Sequence, residues 1–274
     1  MEHFTKGNNM KTKVISVVNQ KGGTAKTTTV LNLGIGLANH GYRVLLIDLD
    51  PQGSLTVCLG HDFPDELNNT ITDLLEGIKD ESPISCETVI RKHEEGVDYM
   101  PGNITLSGLE VSLVNTMNRE RILQQLLQQI ANGYDYILID CMPSLGMLTL
   151  NALAASNEVI VPVQANYLSI KGLEQLFKTI KKVKRQLNHE LNIEGILVTM
   201  LDCRTTYAKE ITERIRKIYG DVVPVFKTEI PRSVRVEETA TEGKSIFAYD
   251  AKGKVADAYK RLVLEVKEDG KERI

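Results

Sequence analysis

Between Val14 and Thr29 the chain reads VISVVNQKGGTAKTTT: an apolar β-branched run, a loop with two glycines, and a lysine followed by three threonines. The run predicts a buried strand, and the loop delivers that strand into a helix. Gly22 and Gly23 let the backbone approach an anion closely, while the helix that follows turns its free N–H groups and positive dipole end toward the same spot. A loop so built cradles phosphate. Lys26 supplies a point charge suited to β- and γ-phosphates, and the Thr27 hydroxyl is suited to ligating Mg²⁺. The common pattern G-x-x-x-x-G-K-[ST] is broken, because Gln20 and Ala25 stand where its two glycines belong. What fits is K-G-G-x-x-K-T, with an additional lysine, Lys21, at the front.

The rest of the chain repeats the strand-and-helix alternation. Thr27 to Asn39 predicts a largely buried helix stopped at Gly41, and VLLIDLD, ending at Asp50, predicts a buried strand tipped by Asp48 and Asp50. Buried strands are also expected at YDYILID (Tyr134–Asp140), EVIVPVQ (Glu158–Gln164) and NIEGILVTM (Asn192–Met200). Together these predict a single α/β domain, a mostly parallel twisted sheet of about seven or eight strands flanked by helices, with ligands at the carboxyl ends of the strands. Asp50 sits at that edge, where a carboxylate orients a water or completes a Mg²⁺ shell, whereas Asp48 reads more readily as a turn cap before Pro51. Asp140, at the tip of its strand, is placed to hold a Mg²⁺-bound water. The domain is expected over residues 13–268, with a flexible extension at 1–12 and a tail at 269–274.

The formal net charge of −3 does not announce a nucleic-acid binder, so any such contact needs a local patch. Leu168 to Leu187 predicts a long helix in which Leu173, Leu176, Ile180, Val183 and Leu187 share one arc. Lys178, Lys181, Lys182 and Arg185 share the opposite one. A solvated face and a phosphate-contacting stripe both account for it.

Cys58, Cys86, Cys141 and Cys203 lie far apart without a C-x-x-C pair, which argues against zinc and a disulfide framework and for a reducing cytoplasm. No apolar run approaches the roughly 20 residues of a spanning helix. In the middle third, Ile71, Leu74, Leu75 and Ile78 form a small packing face, Val97 to Pro101 a short strand, and Ile104 to Ile130 two helices joined near Arg119 and Arg121.

Lys21 to Thr28 resembles the deviant Walker A box of the ParA/MinD group of ATPases, and later segments resemble the ParA/Soj branch in particular, among them TMLDCRT at 199–205, which resembles its T-M-x-D-x-R-T. IDLDPQGS resembles its A′ box D-x-D-P-Q-G, DCMPSLG its switch D-x-P-P-S-L-G with Met142 for the first proline, and EIPRSVRVEETATEG its I-P-R-x-V-R-x-x-E-A-P-S-x-G with Ala240 for a proline. The resemblance implies nucleotide contacts along Lys21, Gly22, Gly23, Thr24, Ala25, Lys26, Thr27 and Thr28, with Met200 and Pro231 beside the adenine. It also implies catalytic roles for Lys21, Lys26 and Asp50, and Mg²⁺ held through Thr27, Asp50 and Asp140. Lys21 would reach the nucleotide of a partner subunit in an ATP-bound sandwich homodimer. Arg232 and Arg235 match arginines that contact nonspecific double-stranded DNA. The activity implied is ATP hydrolysis in plasmid or chromosome partition, stimulated by a ParB-like protein, in a cytoplasmic, nucleoid-associated enzyme. A MinD-like ATPase acting at a membrane is the alternative. The final helix, about Lys252 to Lys267, has Val255, Tyr259, Leu262, Val263 and Val266 on one face, which favours core packing over a membrane anchor.

Overall fold

The computed structural model describes residues 12–202 and 204–268, apart from the side chains of Leu168 and Glu268. The extension and tail expected at the two ends, and Cys203, lie outside the described residues save for Thr12. In chain order the elements are β1 (Lys13–Val17), α1 (Lys26–Ala38), β2 (Val44–Leu49), α2 (Ser54–Cys58), α3 (Ile71–Lys79), β3 (Arg91–Lys92), β4 (Asp98–Met100), α4 (Thr105–Ser112), α5 (Ile122–Ile130) and β5 (Tyr136–Cys141). They continue with α6 (Met147–Ala155), β6 (Glu158–Gln164), α7 (Tyr167–Gln186), β7 (Asn192–Leu201), α8 (Thr206–Tyr219), β8 (Val225–Pro231), α9 (Arg235–Glu242), α10 (Ile246–Tyr249) and α11 (Lys254–Glu268).

The strands form one eight-stranded sheet in the order β3-β4-β2-β5-β1-β6-β7-β8. Among the described strands only β3 runs antiparallel, against β4. β1 lies between β5 and β6, so chain connections depart to opposite sides of it. Ligands of open parallel sheets bind where the order reverses in this way, outside the carboxyl ends of the strands.

Alternating side chains of each strand feed two cores. Val14, Leu45, Ile47 and Ile139 face the layer built by α3 to α8. Ile15, Val17, Leu46 and Leu138 face the layer of α1, α10 and α11. Strands buried on both faces must be apolar at nearly every position, which is why the sequence shows them as continuous runs rather than alternations. Within α11, Val255, Tyr259, Leu262, Val263 and Val266 are all buried. The apolar arc of α7 is buried likewise at Leu173, Leu176, Ile180 and Val183, with Leu187 half-buried just past the helix end. No helix among the described residues is long and apolar enough to cross a membrane.

Candidate functional site: a phosphate loop and three strand-tip carboxylates

The loop between β1 and α1 is tied down on both sides. Buried Asn19 donates from Nδ2 to the Pro162 carbonyl at 2.7 Å and accepts the Lys21 N–H at 3.0 Å, which moors the start of the loop to β6. Thr199 on β7 donates to the Thr24 carbonyl at 3.0 Å, and Gln164 at the end of β6 donates to the Gly23 carbonyl at 2.5 Å. With these carbonyls engaged, the loop holds a fixed curve.

Gly23 takes φ 69°, a conformation that favours glycine, while a Cβ added there or at Gly22 would project into open space. Ala25, where the common pattern has glycine, also lies in the left-handed region, with φ 62° and ψ 35°, as the residue preceding α1. Gln20, the other departure from that pattern, is not among the positive-φ residues and needs no glycine. One of the two substituted positions therefore carries strain and the other none.

Gly23 to Thr28 form one wall of a cleft of about 340 Å³. Met200, Ile230, Pro231, Arg232, Ser233, Val236, Glu237 and Ala240 form the other. The cleft thus brings the phosphate loop together with Met200 and Pro231. Lys26 is 8% exposed within it. Lys21 and Gly22 are exposed and stand outside its walls.

Three carboxylates meet at the strand tips beside the loop. Asp48 and Asp140 are register partners on β2 and β5, and Asp50 follows the end of β2. Asp48 is fully buried and accepts the Thr56 N–H and hydroxyl at 2.8 and 2.7 Å, as well as the Asp50 N–H at 3.3 Å. The bond from Asp50 caps the turn and those from Thr56 tie β2 to α2, and burial pushes the Asp48 carboxyl up to about 6. Asp50 accepts the Gln52 N–H at 3.0 Å and is 8% exposed.

Asp140 is fully buried as well. Its Oδ2 accepts the Thr27 hydroxyl at 2.6 Å, while its Oδ1 has no hydrogen-bond partner. Burial, then the charge of Asp48, holds its carboxyl well above the usual carboxylate range. An orphaned buried carboxylate oxygen beside a threonine hydroxyl and a buried lysine is a donor set that fits a hydrated Mg²⁺ at the phosphates. Among the described residues no group of three or more His, Cys, Asp or Glu is arranged to hold a metal. A cation here would therefore draw most of its shell from water and phosphate oxygens, the usual mode for Mg²⁺. Thr27 and Asp140 would hold it, with Asp50 alongside.

Two cysteines lie near the site. Burial pushes the Cys58 thiol up to about 12 and Cys141 higher still, so neither offers a thiolate.

The six basic residues expected at DNA are all exposed but separate into two groups. Lys178, Lys181, Lys182 and Arg185 lie along α7, where Lys178 pairs with Glu174 at 2.7 Å. Arg232 lines the cleft, and Arg235 is engaged by Glu238 at 3.2 Å and lies over the Tyr249 ring. Sequence reasoning missed Asn19, Gln164, Asn166 and Thr199. Gln164 and Thr199 lie near the carboxyl ends of β6 and β7, and Asn19 and Asn166 each lie two residues past a strand, positions that mark a loop as readily as a site.

An eight-stranded, mostly parallel sheet with a lysine-threonine loop at its switch point and a carboxylate at the tip of the neighbouring strand defines a P-loop nucleotide-binding protein. The family model described as "AAA domain" matches residues 12–193. The sporulation initiation inhibitor protein Soj of Bacillus subtilis (strain 168) is 44% identical over 258 residues, which span 94% of this chain and 99% of that one. The chromosome partitioning protein ParA of Caulobacter vibrioides is 41% identical over 93% of each. Among solved structures, cobyrinic acid a,c-diamide synthase from Mycobacterium smegmatis with bound ADP and magnesium superposes with a TM-score of 0.82 at 37% identity, covering 94% of this chain and 96% of that one. The chain belongs to the ParA/Soj family of deviant Walker A ATPases.

Proposed function

We propose that this protein is a ParA-type ATPase that partitions plasmid or chromosomal DNA. The observation that carries the reading is the contrast between two lysines on one phosphate loop. Lys26 is buried in the cleft, whereas Lys21 is exposed at its edge and lies outside the cleft walls. A buried ammonium serves the phosphates of its own chain. An exposed one at the lip is available to the phosphates of a second subunit.

Two ATP-loaded subunits then meet face to face, each Lys21 neutralising phosphate charge in the other's cleft. Mg²⁺ supplies neutralisation of charge on the β- and γ-phosphate oxygens when bound. Thr27 and Asp140 would hold it, with Asp50 alongside, and Asp50 orients the attacking water for hydrolysis to ADP and phosphate. Met200 and Pro231 flank the adenine. The solved relative that holds ADP and magnesium supports both ligands in this fold, although the reaction in its name belongs to that protein.

Partition is supported by the relative named for it, the chromosome partitioning protein of Caulobacter vibrioides, which aligns over 93% of its length. Nonspecific double-stranded DNA contacts Lys178, Lys181, Lys182, Arg185, Arg232 and Arg235, and a ParB-like partner stimulates hydrolysis and so dissolves the dimer. The working location is the nucleoid. Against a MinD-like membrane role stands α11, which turns Val255, Tyr259, Leu262, Val263 and Val266 into the core and leaves Leu264 as its exposed large apolar side chain.

The test is duplex DNA binding with ATP, with ADP and without nucleotide, over a salt series, for wild type, Lys21→Ala and the Arg232→Ala/Arg235→Ala double variant. ATP-dependent binding that disappears with Lys21→Ala, and weakens with salt and with the arginine changes, is the expected result. Wild type that binds no DNA with ATP at any salt removes partition from the reading and leaves the ATPase.

A further inference from the structure

The exposed front lysine is not loose in the single chain. Its Nζ donates to Oδ1 of Asn166 at 3.4 Å. The same oxygen accepts the N–H and hydroxyl of Ser169 at 3.0 and 2.9 Å, which makes Asn166 the N-cap of α7. Nδ2 of Asn166 donates in turn to Oε1 of Gln164 at 3.0 Å, and Gln164 is the residue that engages the Gly23 carbonyl. The phosphate loop therefore meets the start of α7 twice, through Gly23 and through Lys21, and both links pass through residues 164–166.

We propose that Asn166 is a positioning residue that latches Lys21 in its own subunit until a second nucleotide-loaded subunit takes it, and that its neutral amide sets how readily the lysine leaves. The proposal rests on the reading that Lys21 acts across a dimer. An amide oxygen at 3.4 Å is a long, uncharged acceptor, so it orients the ammonium without holding it firmly. Release strands nothing, because Ser169 continues to occupy the amide oxygen. A carboxylate in the same place would convert the contact to an ion pair and retain the lysine in cis. Asparagine, aspartate and serine all cap helices well, so the identity of residue 166 tunes the latch without dismantling α7.

Two variants test this because they push in opposite directions. Asn166→Asp keeps the cap and adds the ion pair, while Asn166→Ser keeps the cap and removes the amide oxygen from reach of Lys21. Both delete the Nδ2 donation to Gln164, so a purely structural role would move both the same way. Sedimentation of the full chain with Mg²⁺ and a non-hydrolysable ATP analogue should show dimerisation weakened about two- to fivefold in Asn166→Asp, the scale of an exposed ion pair. That defect should shrink as salt rises. Asn166→Ser should shift dimerisation about twofold the other way, the scale of a weak hydrogen bond. In nucleotide-free protein, acetylation of the Lys21 amine by a small anhydride, followed by mass spectrometry, should slow in Asn166→Asp and quicken in Asn166→Ser.

If wild type dimerises and both variants match it in dimerisation and labelling, the latch is overturned while the cross-subunit role of Lys21 stands. Shifts of the same sign in the two variants overturn it too. Wild type that stays monomeric with the analogue removes the cross-subunit role, and the latch with it.

Discussion

The Thr27 hydroxyl donates to Oδ2 of Asp140 across 2.6 Å, and the other oxygen of that fully buried carboxylate has no partner. Helix α1 and strand β5 are thereby joined at the point where a hydrated cation fits. A buried carboxylate with a spare oxygen is unfavourable in a chain without its ligand, because desolvation is only partly offset. The site is therefore shaped for what it binds at some expense of stability.

Replacing Asp140 by asparagine removes that charge and leaves an acceptor for Thr27. In EDTA, Asp140→Asn should raise the unfolding free energy by about 1–3 kcal/mol, read from urea denaturation at neutral pH. The same variant should lose most of the added stability that Mg²⁺ with ADP or ATP gives wild type, since that gain follows from binding to the folded state alone. An asparagine variant less stable than wild type without nucleotide would show that the carboxylate is satisfied in some other way.

Ala25 offers a separate test of stored strain. A left-handed conformation is unfavourable for an L-residue other than glycine by about 1–2 kcal/mol, and φ at Ala25 is 62°. Ala25→Gly relieves that strain but loosens the unfolded chain, which returns about 0.4–1 kcal/mol. Net stabilisation of roughly 0.5 kcal/mol is expected, in contrast to the usual loss when alanine at a helix start becomes glycine. A clear drop in the denaturation midpoint would mean that the loop relies on alanine's stiffness.

The elements that could be read in the sequence were those where one physical demand shows as one pattern. Strands β1, β2, β5, β6 and β7 are buried on both faces and so appear as unbroken apolar runs, and the carboxylates at 50 and 140 end two of them. The edge strand β3 is only Arg91–Lys92, two charged residues held by pairing to β4, and nothing in their chemistry marks a strand. Asn166 and Gln164 were equally hidden, because polar residues after an apolar run signal a loop whether they touch solvent or a phosphate loop. Asp48 shows the opposite case. Its place in D-x-D-P suggested a turn cap, and its Oδ1 accepts the Asp50 N–H in that way, while its Oδ2 reaches further, to Thr56 on α2.

The knot around Asp48 makes Gly102 sensitive. A Cβ there would lie 2.4 Å from the Asp48 carbonyl oxygen, a backbone atom of a central strand that cannot step aside. Gly102 also exchanges hydrogen bonds with the Thr56 hydroxyl, donating at 3.0 Å and accepting at 3.2 Å. Gly102→Ala should destabilise the protein by about 2–3 kcal/mol, the upper range for overpacking, and weaken nucleotide binding by displacing the strand end that carries Asp50. Thermal denaturation and titration with a fluorescent nucleotide would measure the two effects, and a variant indistinguishable from wild type would mean that residues 100–103 move freely against β2.

At the opposite end of the sheet, Asp135 accepts the Arg43 guanidinium at 2.9 Å and the Arg43 backbone N–H at 2.8 Å. The guanidinium hydrogen bond is the main reason that the Asp135 carboxyl lies below its ordinary value. A carboxyl lowered in the folded state contributes stability that is present above its unfolded value of about 3.9 and is lost as pH falls through the folded one. Arg43 is largely exposed, which limits the pair to about 1 kcal/mol. Asp135→Asn retains an acceptor for the backbone N–H and removes the charge. The gap in unfolding free energy between wild type and this variant should therefore hold steady at about 0.5–1 kcal/mol from neutral pH down to about 5, then close as the pH drops below about 4. A gap that instead widens on acidification would mean that Asp135 binds its proton more tightly in the folded chain than in the unfolded one, and that Arg43 is not its controlling partner.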